Sequence, residues 1–204
     1  MTTILQEAAA GRATIVPWTV EQYHRAIELG FVPEDASVEL LDGFIVHKDR
    51  ARAGEDPMTI GDRHRVAVVR LSYAGPLFAA QACFLQTQQP ISLPPTSEPE
   101  PDGAVVRGHI DDYLERPPGA PDLYCVIEVA DRSLALDLGP KLRAYATTAI
   151  PQYIVADLVN DRVLVHEAPV GASYTRVTSL TRGDTLRISA GTGHVPIAVG
   201  TLLP

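Results

Sequence analysis

DLYCVIEVADRSLALDLGPKLRAYATTA, residues 122–149, sets a carboxylate inside a run that is otherwise apolar. The run LYCVIEV, from Leu123 to Val129, is short, nearly continuous in hydrophobicity and rich in β-branched and aromatic residues. That pattern predicts a strand covered on both faces of its sheet. Glu128 is the exception within it. An ionised carboxylate buried without a partner is costly, so Glu128 is expected to meet a cation, a hydrogen-bond network or solvent at the strand's end. Asp137 and Pro140 predict a helix start, because proline is tolerated in a first turn, and KLRAYA, residues 141–146, continues that helix. Lys141 then falls in the first turn, where the helix dipole disfavours a cation. A lysine held there is aimed at a negative site.

Working back from this stretch, RGHIDDYLERPPGAP (107–121) reads as a polar connection with a short turn of helix. Before it, PPTSEPEPDGAVV (94–106) is a stiff, turn-rich connection that delivers an apolar strand directly after Asp102. Glu98 and Glu100 read as solubilising charges, and Asp102 taken alone reads as a turn residue. CFLQTQQPISL (83–93) is strand-like, with Pro90 placing it at an edge or a bend. DRHRVAVVRLSYAG (62–75) predicts a helix with His64, Val68 and Leu71 or Ser72 on one face. Its Arg63, Arg65 and Arg70 form a short basic run without interleaved aromatics, which reads as a solvated face. His64 could contact a substrate or metal site, although a lone histidine does not establish a ligand. Residues 49–57, charged and containing Gly54 and Pro57, read as a mobile surface loop. SVELLDGFIVHK (37–48) is a hairpin turning at Asp42-Gly43, a type I′ dipeptide, with Glu39 in its first strand. TVEQYHRAIELG (19–30) is a packing helix with a Thr19–Gln22 capping box and Gly30 at its exit, and its His24 reads as solvated.

Working forward, IPQYIVADL (150–158) and RVLVHEA (162–168) pair across Val159, Asn160 and Asp161 as a second hairpin. SYTRVTSL (173–180), TLRIS (185–189) and PIAVGTLL (196–203) continue a β-rich pattern. No linker, repeat or low-complexity segment divides the chain, so a polar tail over 1–18 and one domain over 19–204 are expected.

With 204 residues, 46% of them hydrophobic and 21% charged, the chain can bury a full core. Its net charge of -8 argues against broad electrostatic attraction to nucleic acid while leaving room for a local phosphate site. The two cysteines, Cys83 and Cys125, read as free thiols, with Cys125 inside the buried strand, and a reducing cytoplasm is the expected compartment. No signal core and no membrane-length apolar stretch is present in the sequence. There is no Gly-rich phosphate loop, CxxC pair, HExxH or GxSxG, so the common nucleotide, zinc and serine-hydrolase readings lack their local signatures.

The order of VELLDG, His64, EPEPDGAVV, LYCVIEVADRS and DLGPKLRAYATTAIPQYIVADL closely resembles the Uma2 family of restriction-endonuclease-like domains, over about residues 19–167. The resemblance implies a PD-(D/E)xK nuclease fold of α/β (α+β) class: a mixed central sheet flanked by helices, with additional β-hairpins, its acidic residues gathered at one end of the strands. It implies Asp102 and Glu128 as metal ligands and Lys141 as the catalytic lysine. In the simplest nuclease pattern the lysine lies two residues beyond the second acid, but position 130 is alanine. The resemblance instead places the lysine on the following helix, 13 positions beyond Glu128. Glu39 would support the site from the first hairpin, with Asp137 and Tyr145 as further candidates.

These residue types suit one chemistry. Hard oxygen ligands fit Mg²⁺ (or Mn²⁺), which keeps several waters and uses one or two protein carboxylates. With that chemistry, the resemblance implies a metal-dependent endonuclease acting on DNA, with RNA as a second substrate class and a homodimer as a way to address two strands. Two alternatives stay open. Glu128 and Lys141 could be a buried ion pair with Asp102 merely starting a strand, and the protein could be a non-catalytic regulatory or interaction module on a nuclease-derived fold.

Overall fold

The computed structural model describes residues 3–33, 36–48 and 61–204. Along the chain run α1 (Ile4–Ala9), α2 (Val20–Glu28), β1 (Val38–Leu41), β2 (Phe44–His47), α3 (Asp62–Ser72), α4 (Pro76–Ala79), β3 (Cys83–Gln86) and β4 (Gly103–Arg107). Two 3₁₀ turns, Ile110–Tyr113 and Ala120–Asp122, lead to β5 (Leu123–Ala130). Then come α5 (Leu134–Leu136), a π-turn (Asp137–Lys141) and α6 (Leu142–Thr147). The chain continues through β6 (Gln152–Asp157), β7 (Arg162–Val170), β8 (Ser173–Leu180), β9 (Thr185–Ala190), β10 (Gly193–Ala198) and α7 (Val199–Leu202).

Strands β3 to β8 form one six-stranded sheet in chain order. Every neighbouring pair is antiparallel except β5 and β6, which run parallel with Glu128 opposite Val155. A parallel pair cannot be closed by a tight turn and needs a crossover, which the segment from α5 through α6 supplies. The apolar continuity of Leu123–Ala130 follows from this position, since β5 lies inside the sheet and is covered on both faces. Val126, Ala130, Tyr153 and Val155 face Tyr145 and Ala146 of the crossover helix. Cys125, Ile127 and Val129 instead pack with Ala67, Val68 and Leu71 of α3, with Leu186, Ile188 and Val195 of the β9–β10 hairpin, and with Val199 and Leu202 of α7. Alternation along β5 therefore puts Glu128 on the crossover face with Val126 and Ala130.

Several local expectations change. The N-terminal stretch carries a short helix, α1, with its own Thr3–Gln6 capping box. PIAVGTLL splits into the end of β10 and the helix α7, because Val199, Leu202 and Leu203 bury on the α3 side of the sheet. On α3, Val68 and Leu71 bury while Ser72 is exposed. Arg63 and Arg65 are exposed as expected, but Arg70 donates to the Leu203 carbonyl at 3.0 Å and fastens the C-terminal segment. The loop expected over 49–57 lies outside the described residues. Among the described residues no helix is long and apolar enough to cross a membrane.

Candidate active site

Asp102 is the last residue before β4, and β4 lies beside β5, so the strand pairing alone brings Asp102 to the end of the sheet where Glu128 sits. Asp102 Oδ2 accepts the Val129 N–H at 2.8 Å, and the Asp102 N–H lies 3.4 Å from Glu128 Oε2. His64, in the first turns of α3, places Nε2 3.1 Å from Asp102 Oδ2, while its Nδ1 is buried with no hydrogen-bond partner among the described residues. Gly103 favours this close approach: a Cβ there would stand 2.8 Å from Leu71 Cδ2 of α3, so that side chain would have to move.

Lys141 reaches the same point from the crossover. Its Nζ lies 3.0 Å from Glu128 Oε1 and 3.2 Å from Glu39 Oε1, and the Tyr145 hydroxyl donates to Glu128 Oε1 at 2.8 Å. The predicted helix start is corrected: the crossover becomes helical at Leu134, and Pro140 lies inside a π-turn. Proline has no N–H with which to continue the ladder to residue 136, so the ladder widens and the Leu142 N–H bonds the Asp137 carbonyl five residues back. Lys141 thus projects from the end of a π-turn within a continuous helical segment rather than from a free N-terminus.

Glu39 is delivered by the first hairpin. Asp42 (φ 50°) and Gly43 (φ 79°) both take the left-handed backbone that a type I′ turn requires. The hairpin lies along the proline-rich segment through Glu98 N–H to Leu40 O at 2.8 Å and Gly43 N–H to Thr96 O at 2.7 Å. Glu39 Oε2 accepts the Glu100 N–H at 3.1 Å. Its Oε1 is buried and accepts no well-directed hydrogen bond among the described residues, so the 3.2 Å contact with Lys141 is an electrostatic pairing. Glu39 is therefore fully buried rather than an exposed hairpin charge.

The reading of Glu98 and Glu100 as solubilising charges is overturned. Glu98 is buried and lies 2.6 Å from His24 Nε2, which gives His24 a partner; Glu100 pairs with Lys48. Glu100, Lys48 and Ser133 join His64, Asp102, Glu128, Asp137 and Lys141 around a cavity of about 40 Å³, close to the room of one water. A period of two in EPEPD puts Glu100 and Asp102 on one side of an extended segment, but nothing local there distinguishes Glu100 from surface charge. Two larger hollows, of about 420 and 530 Å³, are lined mainly by apolar residues such as Trp18 and Phe31 or Tyr73 and Leu77. Neither includes any of these carboxylates, so the small polar cavity is the chemically equipped one.

Charge is unevenly matched here. Four buried carboxyl groups, from Glu39, Asp102, Glu128 and Asp137, gather around the ammonium of Lys141, while the cavity's other ammonium, that of Lys48, is paired with Glu100. Burial pushes the Glu128 carboxyl well above the usual range, with Lys141 opposing the shift. Burial likewise raises Asp137 to about 6, although Lys141 and the Ser133 hydroxyl, 2.5 Å from Asp137 Oδ2, act against it. Burial disfavours the Lys141 cation, but the Glu128 and Glu39 carboxylates outweigh that and hold it above the usual lysine range. A divalent cation would relieve the excess of acid. The hard carboxylate oxygens of Asp102 and Glu128, which line the cavity, fit such an ion. Among the described residues no group of three or more His, Cys, Asp or Glu side chains has a metal-binding arrangement. A two-carboxylate set is what Mg²⁺ ordinarily uses, with water completing its shell.

The family model with the description "Uma2: Putative restriction endonuclease" matches residues 20–199. No curated protein matches the chain. Among solved structures, the chain is similar to the crystal structure of a "putative nuclease belonging to DUF820" from Anabaena variabilis ATCC 29413. The TM-score is 0.63 over 91% of this chain and 97% of that one, at 12% identity, which establishes a likeness of fold.

Proposed function

Because the chain belongs to the Uma2 family, we propose that it is a metal-dependent endonuclease that hydrolyses phosphodiester bonds in DNA with Mg²⁺ or Mn²⁺ as cofactor. One observation carries this reading. The Lys141 ammonium is held 3.0 Å from Glu128 and 3.2 Å from Glu39, in a small acidic cavity that Asp102 also lines.

Asp102 and Glu128 would hold the ion. When bound, it would acidify a coordinated water and offset the negative charge of the scissile phosphate. The remaining work falls to the chain's own residues. Lys141 presents a preorganised positive charge towards a phosphoryl group that gains negative charge on attack, and such fixed charges need no reorganisation as the reaction proceeds. Glu39 and Tyr145 orient that lysine from two sides, one through its own carboxylate and one through Glu128. The Val129 N–H and His64 fix the Asp102 carboxylate. Without a cation the acid excess would repel a polyanion, so substrate approach and metal binding are coupled.

A non-catalytic role is favoured by one feature, the small size of the cavity, which at about 40 Å³ has room for about one water. The two readings separate in one assay: cleavage of supercoiled DNA, single-stranded DNA and RNA oligonucleotides with Mg²⁺, Mn²⁺ or chelator. Metal-dependent cutting of DNA that is lost in Asp102→Ala and in Lys141→Ala is expected. Absence of cutting on every substrate by folded, metal-supplied protein would favour the interaction module.

A further inference from the structure

The π-turn that aims Lys141 is held from outside the helix. Pro140 breaks the regular ladder, and π geometry is rarely sustained for more than a turn without local support. The Asp137 carbonyl, which accepts the Leu142 N–H, also accepts the Tyr153 hydroxyl at 3.0 Å. A carbonyl has two lone pairs, so both bonds can coexist. Tyr153 is placed rigidly for this. It lies on β6 beside Val126 of β5, is fully buried, and its ring is flanked by Tyr145 at 4.8 Å and by His166, stacked at 5.6 Å. Its hydroxyl therefore cannot swing to another acceptor without disturbing the aromatic stack.

We propose that Tyr153 is a positioning residue for Lys141: by pinning the Asp137 carbonyl it fixes the π-turn and sets the ammonium between Glu128 and Glu39. The catalytic consequence rests on the nuclease reading above, whereas the placement of Lys141 does not. Tyr153 itself touches neither carboxylate through a hydrogen bond among the described residues. It acts only through the backbone, which separates it from Tyr145, whose hydroxyl bonds Glu128 directly.

The test compares Tyr153→Phe with Tyr174→Phe. The second variant also removes a buried hydroxyl bonded to a backbone carbonyl, that of Ile150 at 2.9 Å, from a ring that stacks on Tyr153 at 6.2 Å, but this hydroxyl bonds no residue of the π-turn. Two readouts are taken on each folded full-length protein: the rate of Lys141 acetylation by acetic anhydride, followed by peptide mass spectrometry, and kcat and KM for DNA cleavage. Tyr153→Phe is expected to raise Lys141 acetylation at least about fivefold and to lower kcat about tenfold or more with KM within a factor of two, since removal of a single positioning contact acts on the reacting geometry. Tyr174→Phe should leave both near wild type. Unchanged Lys141 acetylation in Tyr153→Phe, or an equal rise in Tyr174→Phe, overturns the proposal. If the wild type cleaves nothing, the acetylation comparison still decides the placement of Lys141, so failure of the nuclease reading and failure of this inference are distinguishable.

Discussion

Lys141 is the residue on which the site's electrostatics turn. Removing its charge leaves Glu39 and Glu128 buried against each other, and breaking a buried pair in this way costs about 3–5 kcal/mol. Lys141→Met, which keeps the aliphatic stem, should show a loss of that order in urea unfolding at pH 7.5. The loss should shrink at pH 5, where the Glu128 carboxyl, raised by burial, takes up a proton more readily; an equal cost at both pH values would argue against the pairing. Asp137 gives a second residue-scale test. Its carboxyl rises from 3.8 to about 6 on folding, so between those values the folded protein binds more protons than the unfolded chain, and stability falls as pH rises through that window. At about 1.4 kcal/mol per unit the contribution is about 3 kcal/mol, and Asp137→Asn should flatten the unfolding free energy between pH 4 and pH 7 by roughly that amount. Glu128 and Lys141 were legible because each breaks a local pattern, an acid within an apolar strand and a lysine in a predicted helical first turn, whereas Asp102 taken alone reads as a turn residue and became a candidate through the family resemblance. Glu100 and Lys48 were not legible, because an acid among prolines and a lysine at a hairpin's end look like ordinary surface charge until tertiary pairing brings them together.

At the level of elements, the site is assembled from parts remote in sequence whose individual forms were readable. The β5 strand, the Asp42-Gly43 hairpin, the α3 helix and the hairpin of β6 and β7 all follow from local periodicity and turn chemistry. The π-turn does not, since Pro140 fits a helix's first turn as well as a widened ladder, and only the Tyr153 and Leu142 bonds to the Asp137 carbonyl distinguish the two. The sheet order was likewise not encoded locally: the parallel pairing of β5 with β6 follows from the crossover, and pairing partners depend on contacts distant in sequence. The hairpin's role can be tested through its turn. Gly43→Ala puts a Cβ into left-handed backbone at about 1–2 kcal/mol, and that Cβ would fall 2.2 Å from Pro17 Cβ. The variant should unfold at lower urea and lose Glu39 from the site, lowering cleavage more than binding. A variant with wild-type stability and cleavage would show that the hairpin does not depend on this turn.

For the whole molecule, the two faces of the sheet do different work. The crossover face holds the acids and Lys141, while the opposite face carries α3, the β9–β10 hairpin and α7 in one apolar layer that fixes His64 above Asp102. Leu203 is fully buried in that layer and its carbonyl is held by Arg70 and Arg182 at 3.0 and 3.1 Å. Leu203→Ala should therefore cost about 2–5 kcal/mol in chemical denaturation, despite lying next to the last residue of the chain; a change below about 0.5 kcal/mol, the usual range for surface substitutions, would contradict that packing. The net charge of -8 means that long-range attraction to DNA is not supplied by the molecule as a whole. On the proposed nuclease reading, contact with DNA would rely on local positive charge, which a divalent cation at the acidic cavity would supply. The most direct measurement is equilibrium binding of Mn²⁺ to the wild type, Asp102→Ala and Glu128→Ala, followed by electron paramagnetic resonance at pH 7.5 and pH 5.5. The account predicts saturable Mn²⁺ binding to the wild type, tighter at pH 7.5 because Glu128 and Asp137, both raised by burial, are then less protonated, and lost in either variant. Absence of binding by the wild type, or binding that survives both substitutions, would contradict it.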